Sequence, residues 1–243
     1  MFVLFTDFGY QGPYVGQMKT VLTNQAPGVT TIDLMHDAPL CNPKASAYLL
    51  ASLIPRLPLD VVVIGVVDPG VGDPERRPIV LRADGRWYVG PDNALFELVA
   101  RHGHTTAWWE IAWRPQHLSN TFHGRDLFAP IAAHIAVAGT PSDGMQPIEP
   151  VTTVDWPNDL PEVIYIDGFG NAITGLRAES VATSRRLSVS GTGVSHAPTF
   201  SSVPTGRAFW YVNSNDLVEI AVNQGSAAAL MSLNIGTDVR MGS

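Results

Sequence analysis

Val61-Val62-Val63-Ile64-Gly65-Val66-Val67-Asp68-Pro69-Gly70-Val71-Gly72, with Arg76-Arg77 just beyond, is the stretch on which the fold turns. Residues 61–67 are nearly all β-branched and are bounded by turn residues, the pattern of a strand buried on both faces. The strand ends on a carboxylate, Asp68, which a tight turn throws toward a cleft. Pro69 fixes one backbone angle, and Gly70 and Gly72 tolerate a positive φ that other residues resist. Read alone, the turn is either plain punctuation with a surface arginine pair or the corner of a site, since Asp-Pro-Gly is common turn chemistry.

Outward from this strand the first two-thirds of the chain alternate strand and helix signals. Phe2 to Thr6 and Thr30 to Leu34 read as strands. Tyr14 to Asn24 reads as a helix with Val15, Met18, Val21 and Leu22 on one face. Asn42-Pro43 forms a helix-start signal for a helix through Leu53. Ile79 to Arg82 and Trp87 to Val89 flank Asp84-Gly85, a hairpin signal. Leu127 to Ala138 is an apolar helix ended by Gly139. This alternation predicts an α/β domain over 1–140 with a largely parallel sheet. Pro141, Pro147, Pro150, Pro157 and Pro161 punctuate a weakly periodic segment, read as a linker over 141–160. Over 161–243 the candidate strands Val163 to Ile166, Ile173 to Leu176, Leu187 to Val189, Phe209 to Val212 and Leu217 to Val222 are separated by Gly, Asn and Ser. That is the pattern of a small β-barrel or sandwich domain.

The bulk properties exclude several function classes. The 243 residues are 45% hydrophobic and 15% charged, an ordinary globular balance. A net charge of −7 without any Lys/Arg-rich run argues against a nucleic-acid partner, because such binding rests on phosphate neutralisation. Cys41 is the only cysteine, which rules out an intramolecular disulfide and a cysteine-based zinc cluster. The apolar start, Met1 to Phe5, lacks a basic segment and meets Asp7 at once, so it reads as a strand and not a signal peptide. No apolar stretch approaches the ~20 residues of a membrane span. The expectation is a cytoplasmic protein with no membrane partner.

In an open α/β sheet, ligands bind outside the carboxyl ends of the strands. Asp7, His36-Asp37 and Asp68 each follow a strand signal, and Gly90-Pro91-Asp92-Asn93 is a further polar loop after a strand. Thr121-Phe122-His123-Gly124-Arg125-Asp126 precedes the apolar helix and can aim His123 at the same edge. Each has a structural alternative. Asp7 suits a helix cap, His36 a hydrogen-bonded core histidine, Arg125-Asp126 a local ion pair, and Asp92-Asn93 a turn. In the second domain, Asp167-Gly168-Phe169-Gly170-Asn171 sets an aromatic between glycines, where a flat ligand can approach the backbone and stack. Tyr211 to Asp216 and Asn223 to Ser226 are similar polar loops, or ordinary hairpin turns.

Taken together these residues resemble the S-adenosyl-L-methionine (SAM) hydroxide adenosyltransferases, adenosine-forming hydrolases related to the fluorinase and chlorinase enzymes. The resemblance runs nearly end to end. It is carried by Phe5-Thr6-Asp7-Phe8-Gly9 with Tyr14 to Lys19, by Val67 to Gly72 with Arg76-Arg77, and by Gly90-Pro91-Asp92-Asn93. Thr121 to Asp126, Asp167 to Asn171, and Asn213-Ser214 with Glu219-Ile220-Ala221 complete it. It implies an α/β domain plus a small C-terminal β-barrel, assembled as a homotrimer with active sites between the N-terminal domain of one subunit and the C-terminal domain of its neighbour. It further implies hydrolysis of SAM to adenosine and L-methionine with neither metal nor cofactor, SAM being the substrate. The family's Asp-Arg-His triad falls on Asp68, Arg76 and His123. One additional residue before the arginine pair leaves Arg77 as the alternative to Arg76. Substrate contacts fall on Asp7, His36, Asn171, Ser214, Glu219 and the backbone near Val222, with Asp167 and Phe169 alongside. Gly12 and Ala94 depart from an aspartate and a glycine usual in the family, and Gly175 from a frequent asparagine.

Three other readings remain open on the residues alone. His36, Asp37, Asp68 and His123 are the donor types of a metal-dependent hydrolase, although no tight ligand motif joins them. A noncatalytic SAM or adenosine sensor would use the same binding residues. A SAM-dependent halogenase would resemble the chain but lack the triad.

Overall fold

The computed structural model describes residues 1–150 and 154–242, which divide into two compact units, Met1–Val154 and Asp155–Ser243. The first unit runs β1 (Phe2–Thr6), α1 (Tyr14–Gln25), β2 (Thr31–Met35), α2 (Pro43–Leu53), β3 (Val62–Val66), β4 (Pro78–Ala83), β5 (Arg86–Pro91), α3 (Glu97–His102), β6 (Thr106–Ile111), α4 (Ala129–Ala138) and β7 (Met145–Ile148). Local chemistry sets several of these boundaries. Asn42 caps α2 by accepting from the Ala45 N–H, with Pro43 at the first helical position. Gly139 closes α4 in the left-handed conformation, at φ 73°.

The seven strands form one sheet in the order β2-β1-β3-β5-β4-β6-β7. β2, β1, β3 and β5 are mutually parallel, whereas β5-β4, β4-β6 and β6-β7 are antiparallel. The sheet is therefore mixed, a correction to the largely parallel sheet expected from the alternation. The reason lies at Asp84-Gly85, which join β4 to β5 with φ of 45° and 83°. A two-residue turn with both φ positive returns the chain beside itself, whereas a parallel neighbour needs a long crossover. The segment read as a linker over 141–160 supplies β7, which pairs with β6; residues 151–153 lie outside the described residues.

β3 is buried along its whole length, and its side chains alternate between two cores. Val62, Ile64 and Val66 pack with Phe2, Leu4, Met18, Leu22 and Ile131 on the α1/α4 face. Val61, Val63 and Val67 pack with Val3, Phe5, Leu50, Phe96 and Val99 on the α2/α3 face. Burial of each such side chain contributes roughly 1.5–3 kcal/mol relative to exposure. The carboxyl end of β3 is thus anchored from both sides, immediately before Asp68.

The second unit contains β8 (Leu160–Ile166), β9 (Ala172–Arg177), β10 (Leu187–Val189), β11 (Thr192–Val194), β12 (Ala208–Val212), β13 (Leu217–Val222), the short helix α5 (Ala227–Met231) and β14 (Val239–Met241). They make a four-stranded sheet, β12-β13-β9-β8, and a three-stranded one, β11-β10-β14. A core of Val163, Leu187, Val189, Trp210, Val218 and Ile220 is shared by both. Among the described residues no sheet closes on itself, so the expected barrel is replaced by two sheets. Their edges meet at the single bridges Glu162 with Asp238 and His196 with Trp210, flanked by backbone hydrogen bonds from the Val163 N–H to the Thr237 carbonyl, the Gly236 N–H to the Val163 carbonyl, the Trp210 N–H to the Ser195 carbonyl and the Ala197 N–H to the Trp210 carbonyl.

Ala94 holds φ 69° in the loop after β5, at the position where the resemblance places glycine. A side chain there costs about 1–2 kcal/mol, offset by ~0.4–1 kcal/mol of extra unfolded-chain entropy for glycine. Ala94 is also 7% exposed, and loss of its buried methyl costs about 0.8 kcal/mol. The terms nearly cancel, so Ala94→Gly is expected to leave Tm within about 3 °C of the parent in a thermal melt. A larger fall contradicts the strain at this position.

Candidate active site

The parallel strands β1, β3 and β5 end together, so Asp7, Asp68 and the Gly90–Asn93 loop share one edge of the sheet. At Asp68 the backbone turns, with the Val71 N–H donating to the Asp68 carbonyl. The carboxylate is only 4% exposed, and its Oδ1 accepts from Arg76 Nη1 at 2.8 Å and from the Gly70 N–H at 3.2 Å. A Cβ on Gly70 would stand 2.8 Å from Arg76 Nη2, so glycine is what lets the guanidinium lie against this turn. Arg77 points elsewhere, donating from Nη2 to Asp92 Oδ2 at 2.8 Å. Of the two arginines, Arg76 is the one paired with Asp68.

His123 comes from a distant segment. It immediately precedes one π-helical turn, Gly124–Phe128, that leads into α4. Arg125 and Asp126 in that turn form an ion pair, and Asp126 also accepts from the Ser119 N–H while Arg125 donates to Gln17. The pair thus organises the entrance to the helix. His123 and Asp68 line the same pocket of about 250 Å³, together with Asp7. Burial lowers the His123 pKa, and the charge on Asp68 partly opposes that shift. His123 is therefore a neutral imidazole at pH 7.

Asp7 Oδ2 accepts from the Cys41 N–H at 2.9 Å, and burial, ahead of the other influences, raises the pKa of this carboxyl. Phe8, Tyr14 and Phe122 form the apolar wall, with ring centroids 5.2–6.0 Å apart. His36 stands apart from the pocket lining. It is 1% exposed, with Nδ1 2.8 Å from Thr6 Oγ1 and Nε2 3.1 Å from Asp33 Oδ1 without the alignment of a hydrogen bond. Its carbonyl accepts from the Gly9 N–H, which ties the loop after β1 to the end of β2.

The second unit holds a larger cavity, about 840 Å³, whose lining includes Asp167, Phe169, Asn171, Ser214, Glu219 and Val222. Asp167 shapes its loop by accepting from the N–H groups of Phe169 and Asn171 and from the Asn171 amide. This leaves Phe169 81% exposed at the rim. Glu219 is buried on β13, where Tyr211 and Asn213 donate to its two oxygens. Burial raises the Glu219 pKa against those hydrogen bonds. Val222 presents a carbonyl that accepts from the Gly225 N–H.

Sequence reasoning missed Phe8, Tyr14 and Phe200 as walls of these cavities, because an isolated aromatic in a loop or at a helix start carries no signal of what it faces. Phe200 reaches its cavity on a short turn and meets Tyr211 at 5.4 Å. Among the described residues no three His, Cys, Asp or Glu side chains gather as a metal ion would require.

A buried acid held by a guanidinium, beside a neutral imidazole at the strand ends of an α/β sheet, defines an enzyme acting on a small molecule. The chain belongs to the SAM hydroxide adenosyltransferase family: residues 2–144 match its N-terminal domain and residues 161–240 its C-terminal domain. It is 39% identical to the (R)-S-adenosyl-L-methionine hydrolase of Thermus thermophilus, with 97% of each chain covered. It is 37% identical to the protein of the same name from Salinispora arenicola, covering 97% of this chain and 95% of that one. Among solved structures, an uncharacterized conserved protein from Thermotoga maritima superposes with a TM-score of 0.91 at 28% identity, over the whole of both chains. A conserved hypothetical protein from Thermus thermophilus gives 0.80 at 37% identity, over 99% of both.

The electrostatics are open to direct measurement. In a histidine NMR titration of the free protein, His123 is expected to titrate below its ordinary value of 6.5. Because the Asp68 charge favours the imidazolium, Asp68→Asn lowers that midpoint further. A midpoint at or above 6.5, or one unmoved by the substitution, contradicts this arrangement.

Proposed function

We propose that this protein hydrolyses SAM to adenosine and L-methionine through in-line attack of one water on ribose C5′. The observation that carries the reading is the convergence of Asp68, fixed by Arg76, and neutral His123 on one small pocket. The sulfonium is already a good leaving group. As the water oxygen bonds to C5′, the C5′–S bond breaks and its electron pair returns to sulfur, giving the neutral thioether of methionine.

The enzyme's task is to supply an aligned nucleophile, because free water has a pKa near ~15.7. Asp68 Oδ1 is committed to Arg76 and Gly70, so the carboxylate is suited to orient the water while the guanidinium favours developing hydroxide character. His123, neutral at pH 7, accepts the proton. Holding oxygen, carbon and sulfur in line supplies as much as ~7–11 kcal/mol of the barrier lowering.

Asp7 is suited to a ribose diol, since an ionised carboxylate accepts two hydrogen bonds and those donors would compensate its burial. The cavity of the second unit suits the adenine end, with Phe169 for stacking and Asn171, Ser214, Glu219 and the Val222 backbone for polar contacts. On this reading the protein is a homotrimer. Each complete site joins the first-unit pocket of one subunit to the second-unit cavity of a neighbour. A cytoplasmic location suits the free, exposed Cys41; no helix of the described residues is long and apolar enough to cross a membrane.

Turnover of SAM in 18O-water is expected to place the label on the 5′-oxygen of adenosine and none in methionine. Absence of turnover, or a chloride-dependent 5′-chloro product instead, would sink the hydrolase reading. Asp68→Asn and His123→Ala should each lower kcat by about 10²- to 10⁴-fold while SAM affinity stays within a few fold. Weakened binding with unchanged turnover contradicts their roles. Incubation with EDTA should leave the rate unchanged; a loss restored by a divalent cation would favour the metal-dependent alternative.

A further inference from the structure

The Asp68–Arg76 pair sits on a loop that begins at Val67, ends at Arg77 and crosses two glycines. Within it, turn contacts join the Val71 N–H to the Asp68 carbonyl, the Asp73 N–H to the Gly70 carbonyl and the Arg76 N–H to the Asp73 carbonyl. These contacts shape the middle of the loop but not the spacing of its two ends. That spacing decides whether the guanidinium reaches the carboxylate.

Both ends are gripped by the loop after β5. Asn93 Nδ2 donates to the Val67 carbonyl at 2.7 Å, on the residue immediately before Asp68. The Asp92 N–H donates to the Arg77 carbonyl at 2.8 Å, and the Asp92 carboxylate, with a side chain 9% exposed, accepts from Arg77 Nη2 at 2.8 Å. Glu110 adds a second, longer approach, 3.9 Å from Arg77 Nη1. Two adjacent residues therefore hold both stems of the loop at one fixed separation. Asn93 is itself held by its N–H to the Pro91 carbonyl and by the Leu95 N–H on its Oδ1.

We propose that Asp92, Asn93 and Arg77 are positioning residues that clamp the two ends of the 67–77 loop and so set the Asp68–Arg76 pair for the reaction. The two arginines thus divide the work: Arg76 faces the carboxylate and Arg77 anchors the stem that carries it. Charge placement supports this division. A bidentate-capable guanidinium on a largely buried carboxylate makes a rigid, directional anchor, which a flexible lysine would not reproduce. The inference rests on the proposed hydrolase reading for its kinetic consequence, but the geometry of the clamp stands without it.

The test uses Asn93→Ala, Asp92→Ala and Asp92→Asn in the full chain, with two readouts. Asn93→Ala carries no charge change; it should lower kcat by about 10- to 100-fold with KM for SAM within twofold, as expected for a misplaced reacting group. Asp92→Ala should do the same, while Asp92→Asn, which keeps an oxygen for Arg77, should restore kcat to within about threefold of the parent. The second readout needs no substrate. If the clamp is released, Asp68 leaves its place, and the NMR midpoint of His123 in Asn93→Ala moves down toward that of Asp68→Asn. A residue that serves stability alone would lower Tm and leave the His123 midpoint and kcat in place, and that result overturns the proposal. If Asn93→Ala does not fold, the contrast between Asp92→Ala and Asp92→Asn decides by itself, equal kcat values in the two overturning the clamp. Should SAM turnover be absent from the parent protein, the hydrolase reading fails while the His123 midpoint still tests the clamp.

Discussion

The contact between Asp68 and Arg76 is the constraint around which the first unit is organised. A carboxylate that is 4% exposed must be paired or must neutralise itself, and here a guanidinium at 2.8 Å and a backbone N–H supply the partners. That pairing demands a turn tight enough to return Arg76 over Gly70, where a single extra carbon would collide with the guanidinium. It also demands a strand that cannot shift. β3 and its two flanking residues meet this need because Val62, Ile64 and Val66 enter one core and Val61, Val63 and Val67 the other, so a slip of one residue would reverse both sets.

His123 depends on the same contact from the other side. Its segment is held by the Arg125–Asp126 ion pair and by the Ser119 and Gln17 contacts, which fix the π-helical turn before α4. Burial in the pocket strips the imidazole of solvent and keeps it neutral, and the nearby Asp68 charge limits how far that goes. The two groups are thus differentiated by environment: the carboxylate has Arg76 as its counter-charge, and desolvation keeps the imidazole neutral. In the second unit, Glu219 is managed differently. Its oxygens accept from Tyr211 and Asn213, which fixes the polar floor of a large, open cavity beneath an exposed aromatic.

The elements most legible in the sequence were those with strong local chemistry. The β-branched run at 61–67, the Asn42-Pro43 helix start, the Asp84-Gly85 hairpin and the Gly139 stop all act within a few residues, and each lies where the chain carries its signal. The strand β7 was not legible, because Met145–Ile148 contains a proline and lies among others; as an edge strand it tolerates one. Likewise β6, with its paired tryptophans, shows no clean alternation. Those two strands, together with the hairpin, are what make the sheet mixed. His36 illustrates a different limit. Its residue type suits a ligand contact or a core hydrogen bond, and its burial against Thr6 involves a partner thirty positions away.

Local chemistry along the chain sets the pieces: where strands and helices begin, which turns need glycine, and which polar residues follow a strand and so reach one edge of the sheet. Motif order alone was enough to indicate the family. Which arginine of the pair meets Asp68 depends on the folded loop, because Arg76 and Arg77 are chemically identical and differ in the direction that the loop gives each. The Asp92 carboxylate claims Arg77, fifteen residues earlier in the chain, and leaves Arg76 for Asp68. The neutrality of His123 has the same origin. It follows from burial, which outweighs the opposing charge of Asp68, and that burial exists only once the chain has folded.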